Sequence, residues 1–270
     1  MIRRFRDFEL TLNLRRDDFI DCPRAEQRSW VVSRAVDELV DELRHLDLES
    51  ESFIQGATRS EVAGADWSQS TADLREHELI IENQQVMQDW EVPLMHRLAE
   101  IAGSRGGHVL EIGYGMGISA GFLQEQDILS HTIIELNEQV ARASRDWAQH
   151  GARVPTHIVD GSWHEQLPSL GMFDGILWDA FPTSEREFDN YVINDSSVAE
   201  TFFSSAADHL VEGGVFTYYS NERDSLSRRH QRALLRYFRS CRVEVVSGLR
   251  PPDDCEYWWA PQMAVVTAER

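Results

Sequence analysis

Acidic side chains and glycines recur where an open α/β sheet would gather them. The stretch Val109-Leu-Glu-Ile-Gly-Tyr-Gly-Met-Gly117 carries an apolar run into a glycine turn, and Glu135 ends a second run, Thr132-Ile-Ile-Glu135. Gly113 and Gly115 would leave the backbone open to a ligand, and an acid about 20 residues after such a turn can grip a ribose diol. Asp179 closes the run Phe173-Asp-Gly-Ile-Leu-Trp-Asp179. There it would either act on a substrate or cap the next loop. Glu111, Glu135, the segment Asp160-Gly161-Ser162-Trp163 and Asp179 all fall beyond the carboxyl ends of strands, where ligands bind in such sheets. Upstream, Pro93 suits the first turn of a helix. Glu91 before it either caps that helix or faces the same cleft as a second carboxylate.

The elements that must position these groups follow from hydrophobic periodicity. Phe8, Leu10, Leu12 and Leu14 alternate as in a strand, and Val32, Val36, Leu39, Leu43 and Leu46 mark an amphipathic helix. Residues 49–73 read as a loop or short helices, and Glu78–Glu82 as a short strand pairing with the first. Beyond Trp90 strands and helices alternate. Strands are expected at 108–112, 130–135, 156–159, 173–178 and 215–219, with helices at about 93–102, 138–150, 196–210 and 228–239. Segment Glu212-Gly-Gly214 is expected to link the third of these helices to its strand. An antiparallel pair at 242–246 and 264–267 would close the sheet. This order predicts a doubly wound, mainly parallel α/β sheet over residues 77–270, preceded by a small α+β extension, residues 1–76.

Composition narrows the chemistry. The net charge of −20 disfavours nucleic acid and suits a cationic substrate or cofactor. All 26 basic residues are Arg, so Schiff-base, P-loop and kinase lysines are excluded. Cys22, Cys241 and Cys255 are too few and too scattered for a disulfide framework or zinc cluster. The N-terminus lacks a signal-peptide core and no apolar run approaches membrane-spanning length, so a cytoplasmic protein is expected.

The glycines depart from the dinucleotide pattern, because the third would fall at Ile118. Glu111-Ile-Gly113-Tyr-Gly115 instead resembles the nucleoside-methyltransferase turn that binds S-adenosyl-L-methionine. Further segments resemble the guanidinoacetate N-methyltransferase family. They are Trp90-Glu91-x-Pro-x-Met95-His96, Val109 to Met116, His131-Thr-Ile-Ile-Glu135, Phe173 to Asp179, and Pro251-Pro-Asp-Asp-Cys255-x-Tyr257 with Pro261-Gln-Met263. The arginine δ-N-methyltransferases of fungi and plants share the Gly-x-Gly-Met and Thr-Ile-Ile-Glu elements. The resemblance runs from about Val86 onward. It implies a Rossmann-like class I methyltransferase fold, with Glu135 on the ribose hydroxyls and Glu111, Gly113, Gly115 and Met116 around the methionine portion. Met95 would pack on the cofactor, and Ser162 and Trp163 would meet adenine, although the family reads Leu where this chain has Ser162.

By the same resemblance Glu91 and Asp179 match two carboxylates that hold a guanidino group. Elementary chemistry agrees with that role. A guanidinium stays protonated in water, with a pKa of about 12.5–13.8, and its lone pairs are delocalised. Two carboxylates can fork onto its plane and fix one nitrogen, and Asp179 could accept the proton. The loop Tyr219-Ser220-Asn221-Glu222-Arg223-Asp224 corresponds to the one receiving the substrate carboxylate. Glu222 or Asp224 would neutralise an α-ammonium there, while Ser220 or Asn221 serves the carboxylate. Free L-arginine, methylated at a terminal nitrogen as in streptozotocin-type biosynthesis, is therefore the expected substrate. Guanidinoacetate and protein arginine are the alternatives. A homodimer, formed through residues 1–76, and no nucleic-acid, membrane or metal partner complete the expectation.

Overall fold

The computed structural model describes residues 12–15, 67–180, 197–220, 222 and 224–270. The expected amphipathic helix at Val32–Leu46 lies outside these residues. The first strand appears as β1 (Leu12–Arg15).

A three-stranded antiparallel sheet comprises β2 (Ala72–Leu74), β3 (Glu78–Ile81) and β4 (Gln84–Gln88). This corrects the expected pairing of Glu78–Glu82 with the first strand. Glu82 and Asn83 take left-handed conformations, φ 51° and 59°. Two such residues make a tight hairpin turn, which folds β3 straight onto β4. The hairpin of β2 and β3 crosses the expected 76/77 boundary, so residues from Trp67 onward pack with the main sheet's domain. Trp67 itself is buried in its core.

The helix α1 (Val92–Gly103) then leads to β5 (His108–Ile112), α2 (Ile118–Leu123), β6 (Ser130–Glu135), α3 (Glu138–His150), β7 (Thr156–Asp160), α4 (Trp163–Gln166) and β8 (Phe173–Trp178). After it come α5 (Phe203–His209), β9 (Leu210–Ser220), α6 (Arg228–Leu234), β10 (Ser240–Ser247) and β11 (Gln262–Glu269). The large sheet has the order β1-β10-β11-β9-β8-β5-β6-β7. Strands β5 to β9 are parallel, and β11 runs antiparallel between β9 and β10. Glu212-Gly213-Gly214, expected as a connection, belongs to β9, with Gly213 at φ 76°.

Alternation along β5 explains the layering. Val109 faces a core shared with Leu94, Met95 and Leu98 of α1 and Leu123 of α2. Leu110 and Ile112 face the opposite core, built on Phe202, Phe203, Phe216 and Phe238. Both faces of the parallel strands are therefore covered, as such sheets require. The strand order reverses between β5 and β8, which opens a crevice at their carboxyl ends. Among the described residues, no helix is long and apolar enough to cross a membrane.

Candidate active site

At the end of β5 the Gly113 amide donates to the Ile134 carbonyl, 2.9 Å. Gly113 takes φ 89° and Gly115 φ 55°, where a side chain would be strained. A Cβ at Gly115 would lie 2.6 Å from Met87 Sδ. Glu135, at the end of β6, holds this turn from the neighbouring strand. Its Oε2 accepts from Tyr114 N and its Oε1 from Asn137 N, each 2.8 Å. Burial pushes the Glu135 carboxyl up, while the backbone amides of Tyr114, Asn137, Gly115 and Leu136 pull it back towards its ionised form.

Asn137 joins three segments. Its Oδ1 accepts from Gln139 N and Val140 N, capping α3. Its Nδ2 donates to the carbonyls of Trp67 and Ser70, 2.8 Å each. Glu138 N adds a bond to Ser68 O, 3.0 Å. The strap Trp67–Ser70 is thereby fastened over the crevice.

The crevice is a cleft of about 870 Å³. Gly113, Gly115, Glu135, Ser162, Trp163 and Asp179, all expected from the sequence, line it. So do Trp67, Met87, Asn137 and Tyr219, which sequence reasoning did not assign. Ser162 caps α4, and Trp163 packs edge-on against Trp178 and Phe202. Asn137 had a readable signal as a capping residue before a helix. Tyr219 had one as the last tyrosine of a strand next to Asp179.

Other expected contacts fall elsewhere. Met95 is fully buried between α1 and the sheet, and the methionine that reaches the cleft is Met87. Met116 is not on the cleft wall; its amide points to Met87 Sδ, 3.3 Å. Glu111 is also absent from the wall, because alternation turns it towards the core. There Ser119 Oγ donates to its Oε1, and His131 Nε2 lies 2.9 Å from its Oε2.

The substrate-loop expectation needs a similar correction. Ser220 is fully buried and its Oγ accepts from Glu222 N, 3.1 Å. Glu222 turns back onto α6, with Oε1 accepting from Ser227 N and Oε2 2.8 Å from His230 Nδ1. His230 Nε2 in turn contacts the Tyr218 hydroxyl, 2.5 Å. A capping role so occupies Glu222 that it is not available to an α-ammonium. Asp224 accepts from Gln262 Nε2, 3.3 Å. Asn221 lies outside the described residues.

Asp179 follows β8, its amide held by the Ile112 carbonyl at 3.0 Å. Its carboxyl is pushed up to about 7 by burial and by the charges of Glu111 and Glu135, against a hydrogen bond from Tyr219. Glu91 ends the helical turn Asp89–Glu91 and is 3% exposed. It does not line the cleft wall but senses the Asp179 charge. Burial and Asp179 push its carboxyl up to about 8, while Tyr257 and the Gln88 amide draw it down. Both donors meet Oε1, the Tyr257 hydroxyl at 2.5 Å and Gln88 N at 2.9 Å. Gln85 fixes the Tyr257 loop onto β4, donating to Asp254 O and accepting from Glu256 N. Two carboxyls with raised affinity for protons, Glu91 buried and Asp179 partly buried, suit a cation received in exchange.

Comparison with known proteins now bears on the chain. The family model described as guanidinoacetate N-methyltransferase matches residues 55–244. The chain belongs to this family. Among curated relatives, the protein arginine N-methyltransferase 2 of Aspergillus oryzae is 39% identical over 110 residues, 38% of this chain and 26% of its own. That of Candida glabrata is 33% identical over 174 residues, 54% of this chain and 42% of its own. The chain thus spans well under two thirds of the length of these relatives. Spermidine synthase from Thermotoga maritima superposes with a TM-score of 0.50 at 16% identity, covering 74% of this chain and 71% of that one. A spermidine synthase in complex with the transition-state analogue AdoDATO gives 0.52 at 16% identity, covering 74% and 72%. These likenesses show the Rossmann-like class I fold.

S-adenosylmethionine is the cofactor of this guanidinoacetate N-methyltransferase family, and the cleft fits it. Glu135 offers a carboxylate at the strand end for a ribose diol, Ile112, Ile134, Val140 and Trp163 give apolar walls for a base, and Asp179 places negative charge for a sulfonium.

Proposed function

We propose that this chain is an S-adenosylmethionine-dependent N-methyltransferase acting on the guanidino group of a small molecule, with free L-arginine as substrate and a terminal nitrogen as acceptor. One observation carries the reading: the buried Glu91 lies within electrostatic reach of Asp179, whose backbone packs against Gly113 of the glycine turn. A guanidinium is a planar cation that satisfies two such groups at once. When bound, the cofactor supplies an electrophilic methyl group. Glu91 and Asp179 ionise on receiving the guanidinium, fix one nitrogen, and Asp179 takes the proton that this nitrogen loses.

The choice of arginine rests on charge in the loop that carries Tyr257. With Glu222 engaged by α6, the acids closest in sequence to Tyr257 are Asp253, Asp254 and Glu256, all exposed. That stretch suits an α-ammonium and opposes the unaccompanied carboxylate of guanidinoacetate. Protein-bound arginine is the second reading, favoured by the names of the curated relatives. Incubation with S-adenosylmethionine and L-arginine, guanidinoacetate, agmatine or an arginine-containing protein, followed by mass spectrometry, separates these. Methylated free arginine is expected. Turnover of guanidinoacetate or agmatine without arginine overturns the substrate, and transfer to none of the four overturns the guanidino reading.

A further inference from the structure

Beyond the two carboxylates lies a second pair of groups. Tyr257 is carried by the loop before β11, and Tyr219 by β9, yet Tyr219 is near enough to influence the ionisation of Tyr257. Tyr257 donates to Glu91 and Tyr219 to Asp179. At Glu91 both donors converge on Oε1, so Oε2 is the oxygen these bonds leave open to a ligand.

We propose that Tyr257 and Tyr219 are positioning residues for methyl transfer, each occupying one side of a carboxylate so that only the other side can receive the guanidinium. This rests on the proposed guanidino N-methyltransferase reading. A phenol donor on Oε1 fixes the rotation of the Glu91 carboxylate and directs Oε2 to the substrate. The Tyr219 bond constrains Asp179 in the same way from the opposite strand. Together they define the plane in which the guanidinium lies, and with it the nitrogen presented to the glycine turn. The assignment extends the site onto β9 and the C-terminal loop.

The ionisable groups around the pair are Glu111 from β5, Glu135 from β6, Tyr219 from β9, and Cys255 and Tyr257 from the loop before β11. Tyr257 does not ionise near neutrality, because burial and the charge of Glu91 push its hydroxyl up, so it acts as a donor throughout. Each bond favours the ionised carboxylate, so removing it raises that carboxyl's affinity for protons.

The test uses the full chain with Tyr257→Phe and Tyr219→Phe, and with Glu91→Gln and Asp179→Asn as references. Circular dichroism and urea unfolding verify that each tyrosine variant is folded. We expect the acid limb of the kcat/KM profile for arginine to move up by about one pH unit in each tyrosine variant. KM should rise about tenfold, and a single methylarginine isomer should give way to a mixture. If kcat falls with no movement of the limb and no change of isomer, the tyrosines are structural and the proposal fails. If Glu91→Gln and Asp179→Asn both retain turnover, the guanidino reading fails first and takes the proposal with it.

Discussion

A β-carbon on Gly113 would overlap the backbone carbonyl oxygen of Asp179, so the first glycine of the turn and the main chain at Asp179 share one confined space. Gly113 also takes φ 89°, a conformation that opposes any side chain. Gly113→Ala should therefore cost about 2 kcal/mol or more in stability and displace Asp179. Gly121, in the middle of α2, has nothing within 4 Å of a built Cβ. Gly121→Ala should stabilise by about 0.5–1 kcal/mol. Urea unfolding of the two variants, with arginine methylation measured on each, tests the contrast.

Stability should fall as pH rises. The Glu91 carboxyl titrates at about 8 in the fold against an ordinary 4.5, and that of Asp179 at about 7 against 3.8. Between those limits the folded chain holds more protons than the unfolded one. The stabilisation is therefore complete below about pH 4 and lost progressively as pH climbs to about 8. Glu91→Gln should be more stable than the parent at pH 8.5 by about 1–3 kcal/mol and nearly equal to it at pH 5. Urea midpoints that change equally at both values would refute the assignment.

Glu135 accepts backbone donors with both oxygens, so even an isosteric amide disturbs it. In Glu135→Gln the side-chain NH₂ must face one of the Tyr114 and Asn137 amides, leaving a buried donor unpaired at a cost of about 1–3 kcal/mol. A lowered melting temperature and at least about tenfold weaker binding of S-adenosylhomocysteine are expected, the latter from the lost charge on a ribose. Calorimetry showing undiminished affinity would remove Glu135 from the cofactor site.

Asn137→Ala should release the strap Trp67–Ser70 and uncap α3 together. The cap alone is worth about 1 kcal/mol. Faster dissociation of S-adenosylhomocysteine in stopped-flow measurements should accompany this, because the strap bonds lie directly over the cleft. Asn137→Asp keeps the cap acceptor but sets a carboxylate oxygen against the Trp67 and Ser70 carbonyls, so it should show the faster release with at least as large a loss of stability.

Strands β5 to β8 were legible because each is a short run leading to a glycine or an acid; β5, β6 and β8 have the expected bounds. The same pattern yielded Gly113, Glu135 and Asp179. What periodicity could not give was the direction of single side chains. Glu111, two residues before Gly113, points into the core because a strand alternates, and its partner His131 lies on another strand. Glu222 looked like a loop acid, but its role depends on His230, eight residues later on α6. Tyr257 lies 166 residues from Glu91, a separation over which no local spacing rule operates. The hairpin of β3 and β4 escaped notice because its turn, Glu82-Asn83, lacks the glycine that usually announces left-handed residues.

Strand β11 enters between β9 and β10, pairing with both along most of its length. Until it arrives during synthesis, two long strands present open edges, and Tyr257 has no anchored loop from which to reach Glu91. A ribosome must therefore release the chain through β11 before this pocket can exist. A stop codon near position 260 would produce more than a shortened enzyme: it would leave two sticky edges facing each other across a gap, a species prone to aggregate.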